Sequence, residues 1–409
     1  MSPPTISRKR SFIVTLGLLT GMAAFSVDVS LPAIPKMVDA LLTTFPRGQQ
    51  IVGVFIAGMA CGQIPAGLFS DRLGRLPVLY AGSSLFVASA IVAAVATDID
   101  VMLGARFLQG FGAAATIVLS RAIVRDIAHG KEAARLMSLM TMIFTAIPVV
   151  APSIGALLII QWDWRAPFIL IAVFGLIMML AIRGNITETH TPVKGQHPAR
   201  QLVSNFREFF SHRQSIFGLL LFILPPWGFL SIITVSAALI VETYGVSLPI
   251  FGLIFACAGM SILIGAVVNR ALVTRFDMMQ VLAIAVVLFA ITAVQFLIMA
   301  WLDSASLVWL WGNNCVFFFS VAILMPNASV VALDPMPRIA GVASSILGTV
   351  QNAVAATSAI LAAAIYDGSV RNSIVIMGSS AVLIVRVFLL KPVISPRPLV
   401  HYPDELARN

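Results

Sequence analysis

Charge is what this sequence has least of. Of 409 residues only 11% are Asp, Glu, Lys or Arg, against about 25% in a soluble domain, so a water-soluble globular protein is excluded. Cysteine is scarce as well. Cys61, Cys257 and Cys315 all lie in apolar runs without ligand-like spacing, which argues against a disulfide framework or a metal site. The histidines, at positions 129, 190, 197, 212 and 401, fall outside the long apolar runs, so no intramembrane histidine relay is available. No G-x-x-x-x-G-K-[ST] loop, H-E-x-x-H or G-x-S-x-G occurs, which removes the signatures of an ATP-driven pump, a zinc protease and a serine hydrolase. The expectation is a non-enzyme with no metal or organic cofactor.

What is present is apolar material, 59% of the chain, enough for about a dozen membrane helices of roughly 20 residues each. Runs bounded by charge or by Gly, Pro and Asp predict twelve spans near 12–33, 50–69, 77–97, 101–121, 136–159, 166–184, 215–238, 249–270, 279–301, 306–332, 339–363 and 372–390. They read as helices because a span in lipid must satisfy its own backbone hydrogen bonds. The first run follows Arg8-Lys9-Arg10 and is too long for a signal-peptide core, so it is read as an uncleaved membrane helix. The fold class is therefore an all-α membrane protein of twelve transmembrane helices.

The net charge of +9 is explained by the membrane and requires no nucleic acid. Of the 26 Lys and Arg residues, 21 fall on one side of the predicted spans and 4 on the other, with Arg106 inside a span. Basic residues are retained in the cytoplasm, so both termini are expected there. The longest connection, 185–214, carries Pro192 and Pro198 and divides the chain into two six-helix bundles, 1–184 and 215–391, with a cytoplasmic tail at 392–409. Within it Leu202, Phe206 and Phe209 recur at helical spacing, which predicts a short amphipathic helix on the inner membrane surface.

The connection between the second and third spans reads Gly67-Leu68-Phe69-Ser70-Asp71-Arg72-Leu73-Gly74-Arg75. Here Gly67 is expected to permit close helix approach and Gly74 a tight turn, while one carboxylate among arginines makes a small charge network. This G-x-x-x-D-R-x-G-R pattern resembles the signature of the major facilitator superfamily. The resemblance extends to Arg106-Phe107-Leu108-Gln109-Gly110-Phe111-Gly112, similar to the family's R-x-x-Q-G-x-G motif. It extends also to Ala151-Pro152-Ser153-Ile154-Gly155-Ala156, which looks like the G-P-x-x-G-G motif of drug:proton antiporters with alanine at two glycines. Asp28-Val29-Ser30-Leu31-Pro32-Ala33-Ile34-Pro35, Trp162-Asp163-Trp164-Arg165-Ala166-Pro167-Phe168 and Ala340-Gly341-Val342-Ala343-Ser344-Ser345 resemble segments of the Bcr/CflA multidrug efflux transporters. That resemblance implies the major facilitator fold, a bacterial inner-membrane location and export of small, rather apolar drugs in exchange for protons by alternating access. It also implies a charge relay in which Asp126 joins Asp71, Arg72 and Arg75, and an antiporter role for Pro152 and Gly155.

Independently of the resemblance, a charge at the bilayer centre costs about 2.5–3.5 kcal/mol on insertion scales and marks a cavity or a partner. Asp28 and Arg106 are the two such residues well inside predicted spans. At about 1.5 Å per residue both lie some 7–8 Å below the outer boundary, so they are expected to meet and, with Gln109, to form the proton-coupling site. Gln63, Trp227, Phe229 and Asn314 are candidate cavity residues, and Pro225-Pro226 is expected to bend the seventh span. The expected partners are a small-molecule substrate, protons and the lipid bilayer, with the chain acting as a monomer. An uptake symporter or facilitator of the same fold, and a transporter-like sensor, are the alternatives.

Overall fold

The computed structural model of the protein describes residues 10–128, 130–190, 198–302, 305–336 and 339–395. His129, Pro192, His197, Arg338, the Arg8-Lys9 pair and the chain from 396 onward lie outside the described residues, as do the side chains of Leu202, Ala340 and Gly341. Among the described residues there is no strand, and 12 helices are long and apolar enough to cross a membrane. The chain divides into two compact units, Met1–Gln196 with Leu248–Gly252, and His197–Ser247 with Leu253–Asn409.

The first unit holds α1 (Arg10–Ser30), α2 (Ile34–Ala40), α3 (Phe45–Leu73), α4 (Arg75–Ala94), α5 (Ile99–Ile127), α6 (Gly130–Gln161) and α7 (Ala166–Asn185). The first span was expected to end at Ala33, but helical backbone continues through the 3₁₀ turn Leu31–Ala33 to Ala40. Pro32 and Pro35 each fall in the first turn of a new helical segment, where the missing N–H has no helical acceptor to lose. Glycines set the tightest seams. A Cβ on Gly58 would strike the Phe107 carbonyl, one on Gly110 the Phe55 carbonyl, and one on Gly112 the Gly82 carbonyl, so α5 is pressed backbone to backbone against α3 and α4.

The second unit holds α8 (Pro198–Ser211), α9 (Arg213–Ala237, prolonged by a π-helical segment Ala238–Thr243), α10 (Leu248–Leu272) from Leu253 onward, α11 (Met278–Leu302), α12 (Leu307–Leu333), α13 (Ala340–Ala364), α14 (Arg371–Leu389) and α15 (Lys391–Ile394). The amphipathic helix expected at 202–209 is α8, yet its apolar face is committed elsewhere. Phe209 is fully buried in a cluster with Leu219, Met336 and Ile346, and Phe206 packs against the same cluster. A protein core takes up Phe206 and Phe209, which the sequence assigns to the membrane surface. α9 stays helical through Pro225 and Pro226, both buried. Beside the proline pair, the Leu224 carbonyl accepts from Ser380 Oγ at 2.7 Å and the Trp227 carbonyl accepts from Ser358 Oγ.

Candidate functional site

Arg106 lies fully buried on α5 in the first unit. Its Nη1 donates to Gln109 Oε1 at 2.7 Å and to Ser26 Oγ at 2.8 Å, and its Nε reaches the Ile51 carbonyl at 3.4 Å. The guanidinium lies 4.4 Å from the Phe55 ring centroid, a cation–π contact strengthened by desolvation. Ser26 in turn donates to Gln109 Oε1 at 3.3 Å. Two donors in this cluster, Arg106 Nη2 and Gln109 Nε2, are buried without a partner. Each unmet buried group costs about 1–3 kcal/mol.

The expected meeting of Asp28 with Arg106 does not occur. Asp28 is buried, at 8% exposure, but the ion pairs among the described residues do not include it, and Ser26 occupies the guanidinium instead. The reason is helical geometry. Residues i and i+2 face different directions on a helix, so an α1 that turns Ser26 toward α5 turns Asp28 away from it. Asp28 follows the stripe of Gly17 and Gly21, spaced seven residues from the latter. A Cβ on these glycines would meet Ile143 and Ile147 of α6, and one on Gly155 would strike the Val29 carbonyl. Those three contacts share one parallel register, 143 against 17, 147 against 21 and 155 against 29. Asp28 therefore lies on the α6 face of α1, level with Ile154. Pro152 and Gly155 of the proline-glycine motif belong to the same seam, and Gly155 is the residue that lets the two backbones touch.

Along this seam an apolar cavity of about 490 Å³ is lined by Leu18 and Phe25 of α1, Ile147, Val150 and Ile154 of α6, and Phe174 of α7. On α1 its lining ends at Phe25, three residues before Asp28. Gln63 of α3 is buried. In the second unit Trp227 and Phe229 are half-buried on α9, with the Phe229 ring 5.8 Å from Phe318, and Asn314 is fully buried on α12.

The charge network at the α3–α4 turn is assembled. Arg75 Nη1 donates to Asp71 Oδ1 at 2.6 Å and to Ser70 Oγ at 2.8 Å, and its Nε donates to Asp126 Oδ2 at 2.9 Å. Arg72 is exposed and forms no ion pair among the described residues. Gly74 has φ +97°, a conformation that a Cβ opposes, and a Cβ there would meet Glu188 Oε2 at 2.7 Å. Gly67 departs from expectation, because a Cβ on it would meet only Val118, at 4.0 Å. No close helix approach depends on it.

Sequence reasoning missed the third side of this network. Glu188 Oε1 accepts from the Arg75 backbone N–H at 2.8 Å and Oε2 from that of Leu76 at 2.9 Å, so the carboxylate caps the first turn of α4. Thr189 Oγ1 donates to Asp126 Oδ2 at 3.0 Å, and His190 Nε2 lies 3.2 Å from the Asp71 carbonyl. Burial acts to raise the Glu188 pKa, but backbone donors of Leu76, Arg75, His190 and Thr189 outweigh it and hold the carboxyl below its ordinary value. The only sequence signal was an acidic residue among the basic ones of the long connection.

Among the described residues, twelve apolar helices in two units, with polar clusters inside the spans, make a polytopic membrane protein, the architecture of many secondary transporters. The chain belongs to the Major Facilitator Superfamily, whose family model matches residues 16–359. It is 28% identical over 379 residues to the bicyclomycin resistance protein homolog of Haemophilus influenzae, covering 91% of this chain and 94% of that protein. It is 26% identical to multidrug resistance protein D of Escherichia coli, covering 84% and 86%. Among solved structures, a D-xylose-proton symporter superposes with a TM-score of 0.72 at 16% identity, over 93% of this chain and 96% of that one, which establishes a shared fold. The protein is thus a multi-pass membrane transporter with multidrug-resistance relatives.

Proposed function

We propose that the protein exports small, rather apolar drugs or antibiotics across the bacterial inner membrane in exchange for protons. It works as a monomer by alternating access, with both termini in the cytoplasm and the proton gradient as its only energy source. The observation that carries this reading is Asp28, an intramembrane carboxylate without an ion pair among the described residues, in a chain whose relatives are named for drug resistance. Transport without ATP needs a group that takes a proton from one side and yields it to the other, and a carboxylate not committed to Arg106 is free to do so. The apolar cavity beside it supports an apolar solute, because a site lined by hydrocarbon gains affinity from the area it removes from water. The Arg75 network supports a latch that holds one state until substrate or proton arrives.

Substrate-induced proton release in proteoliposomes tests the reading. Asp28→Asn should insert normally and lose both proton release and pH-gradient-driven flux. Unchanged proton release would place coupling elsewhere. Accumulation of substrate in inside-out vesicles identifies export, and accumulation in right-side-out vesicles identifies uptake.

A further inference from the structure

Near the start of α12, in the second unit, two adjacent amides face different neighbours. Asn313, on α12, donates from Nδ2 to the Thr292 carbonyl of α11 at 3.2 Å. Asn314 is fully buried, and neither its Nδ2 nor its Oδ1 has a partner. Helical spacing places Asn314 on the face of Phe317 and Phe318, one turn nearer the start of α12. Phe318 lies against Phe229 of α9, while the Phe317 ring reaches toward Gly228 of α9, where a Cβ would meet it at 2.7 Å, and also packs 4.9 Å from Phe289 of α11.

The two helices run antiparallel, with Gln214 against Val331, Gly218 against Ala332 and Ala328, and Gly228 against Phe317. Continued toward the start of α12, these contacts set Asn314 opposite the stretch 231–236, where Ser236 Oγ donates to the Ile233 carbonyl at 2.7 Å. The hydroxyl of Ser231 is spent on its own helix, donating to the Gly228 carbonyl at 2.6 Å, and Thr234 donates likewise to Leu230. Nothing on α9 in this arrangement answers the carboxamide, and a leucine would fill the same space without an unmet polar group. α9 is also the helix that carries the proline pair and ends in a π-helical segment, both features of helices that rearrange.

We propose that Asn314 is a specificity-determining residue for the transported solute. Its carboxamide pairs with a neutral group that both donates and accepts a hydrogen bond, such as an amide, once α9 moves off α12. The proposal rests on the transport reading above and adds to it a class of solute: neutral molecules with paired donor and acceptor groups.

The test compares wild type, Asn314→Leu and Asn314→Gln by thermal unfolding in detergent and by flux in proteoliposomes. The probes are chloramphenicol, a neutral amide, and tetraphenylphosphonium, a cation without hydrogen-bonding groups. Asn314→Leu should unfold at a higher temperature, lose at least about tenfold in chloramphenicol flux, which is about 1.4 kcal/mol of lost transition-state stabilisation, and keep tetraphenylphosphonium flux if wild type has it. Asn314→Gln, which retains the amide, should recover part of the chloramphenicol flux. A lower unfolding temperature for Asn314→Leu assigns the amide to structure and overturns the proposal. Unaltered chloramphenicol flux in Asn314→Leu overturns it too. Wild type that moves tetraphenylphosphonium but not chloramphenicol overturns the proposal and leaves transport standing; wild type that moves neither overturns drug export as well, so the two readings fail distinguishably.

Discussion

Ser26 and Asp28 stand two residues apart on α1, about 200° around its axis, and that rotation decides what Arg106 can do. The guanidinium bridges Ser26 and Gln109 from one nitrogen while lying over Phe55. A lysine offers one compact ammonium in place of the planar fork, so Arg106→Lys should fold but lose about tenfold or more in flux, equivalent to about 1.4 kcal/mol; flux and thermal unfolding measured together check this. That both charges are buried within apolar helices was legible in the sequence from hydropathy. Their separation was not, because the rotation of α1 is set by Gly17 and Gly21 of α1 against α6 and by Gly155 of α6 against the α1 backbone. Gly155→Ala should therefore destabilise by about 1–3 kcal/mol through overpacking, since its Cβ would strike the Val29 carbonyl. Gly67→Ala, with its nearest neighbour at 4.0 Å, should be neutral or gain up to about 1 kcal/mol from helix propensity. Equal effects of the two on unfolding temperature would refute the distinction.

Among elements, the start of α4 depends on a residue beyond the end of α7. Glu188 caps α4, and its carboxyl is held below the ordinary glutamate value of 4.5. A depressed folded pKa gives stability that is fully present above the unfolded value and is lost as pH falls through the folded one. Unfolding temperature in wild type should therefore hold from neutral pH down to about 5 and fall below the carboxylate range; Glu188→Gln should lower the plateau and shrink the acid-dependent loss. The Asp71–Arg75–Asp126 links meet at the same turn. Asp71→Asn should depress turnover more than ligand affinity, with binding in detergent preserved while flux falls. Asp71, Arg75 and Asp126 were readable from a motif and its usual acidic partner. Glu188 was not, because no spacing links it to a turn 113 residues away.

For the whole molecule, the 21-to-4 division of basic residues predicts sidedness. A fluorescent protein fused to the C-terminus should fluoresce, and alkaline phosphatase fused there should be inactive yet active when fused after Asp163; the reverse pattern would invert the topology. Number, order and approximate length of the spans were determined by sequence alone, since the transfer of an apolar segment into lipid depends on that segment's own composition. The family was legible too, because its motifs are short and local. Tertiary structure alone decided that Ser26 rather than Asp28 meets Arg106, that Phe209 enters a protein core, and that Glu188 completes the turn at Gly74. It also decided that Asn314 is buried without a partner. Each of these depends on which carbonyl, hydroxyl or ring a neighbouring helix presents at one depth and rotation, and a hydropathy pattern carries depth but leaves rotation about the axis free.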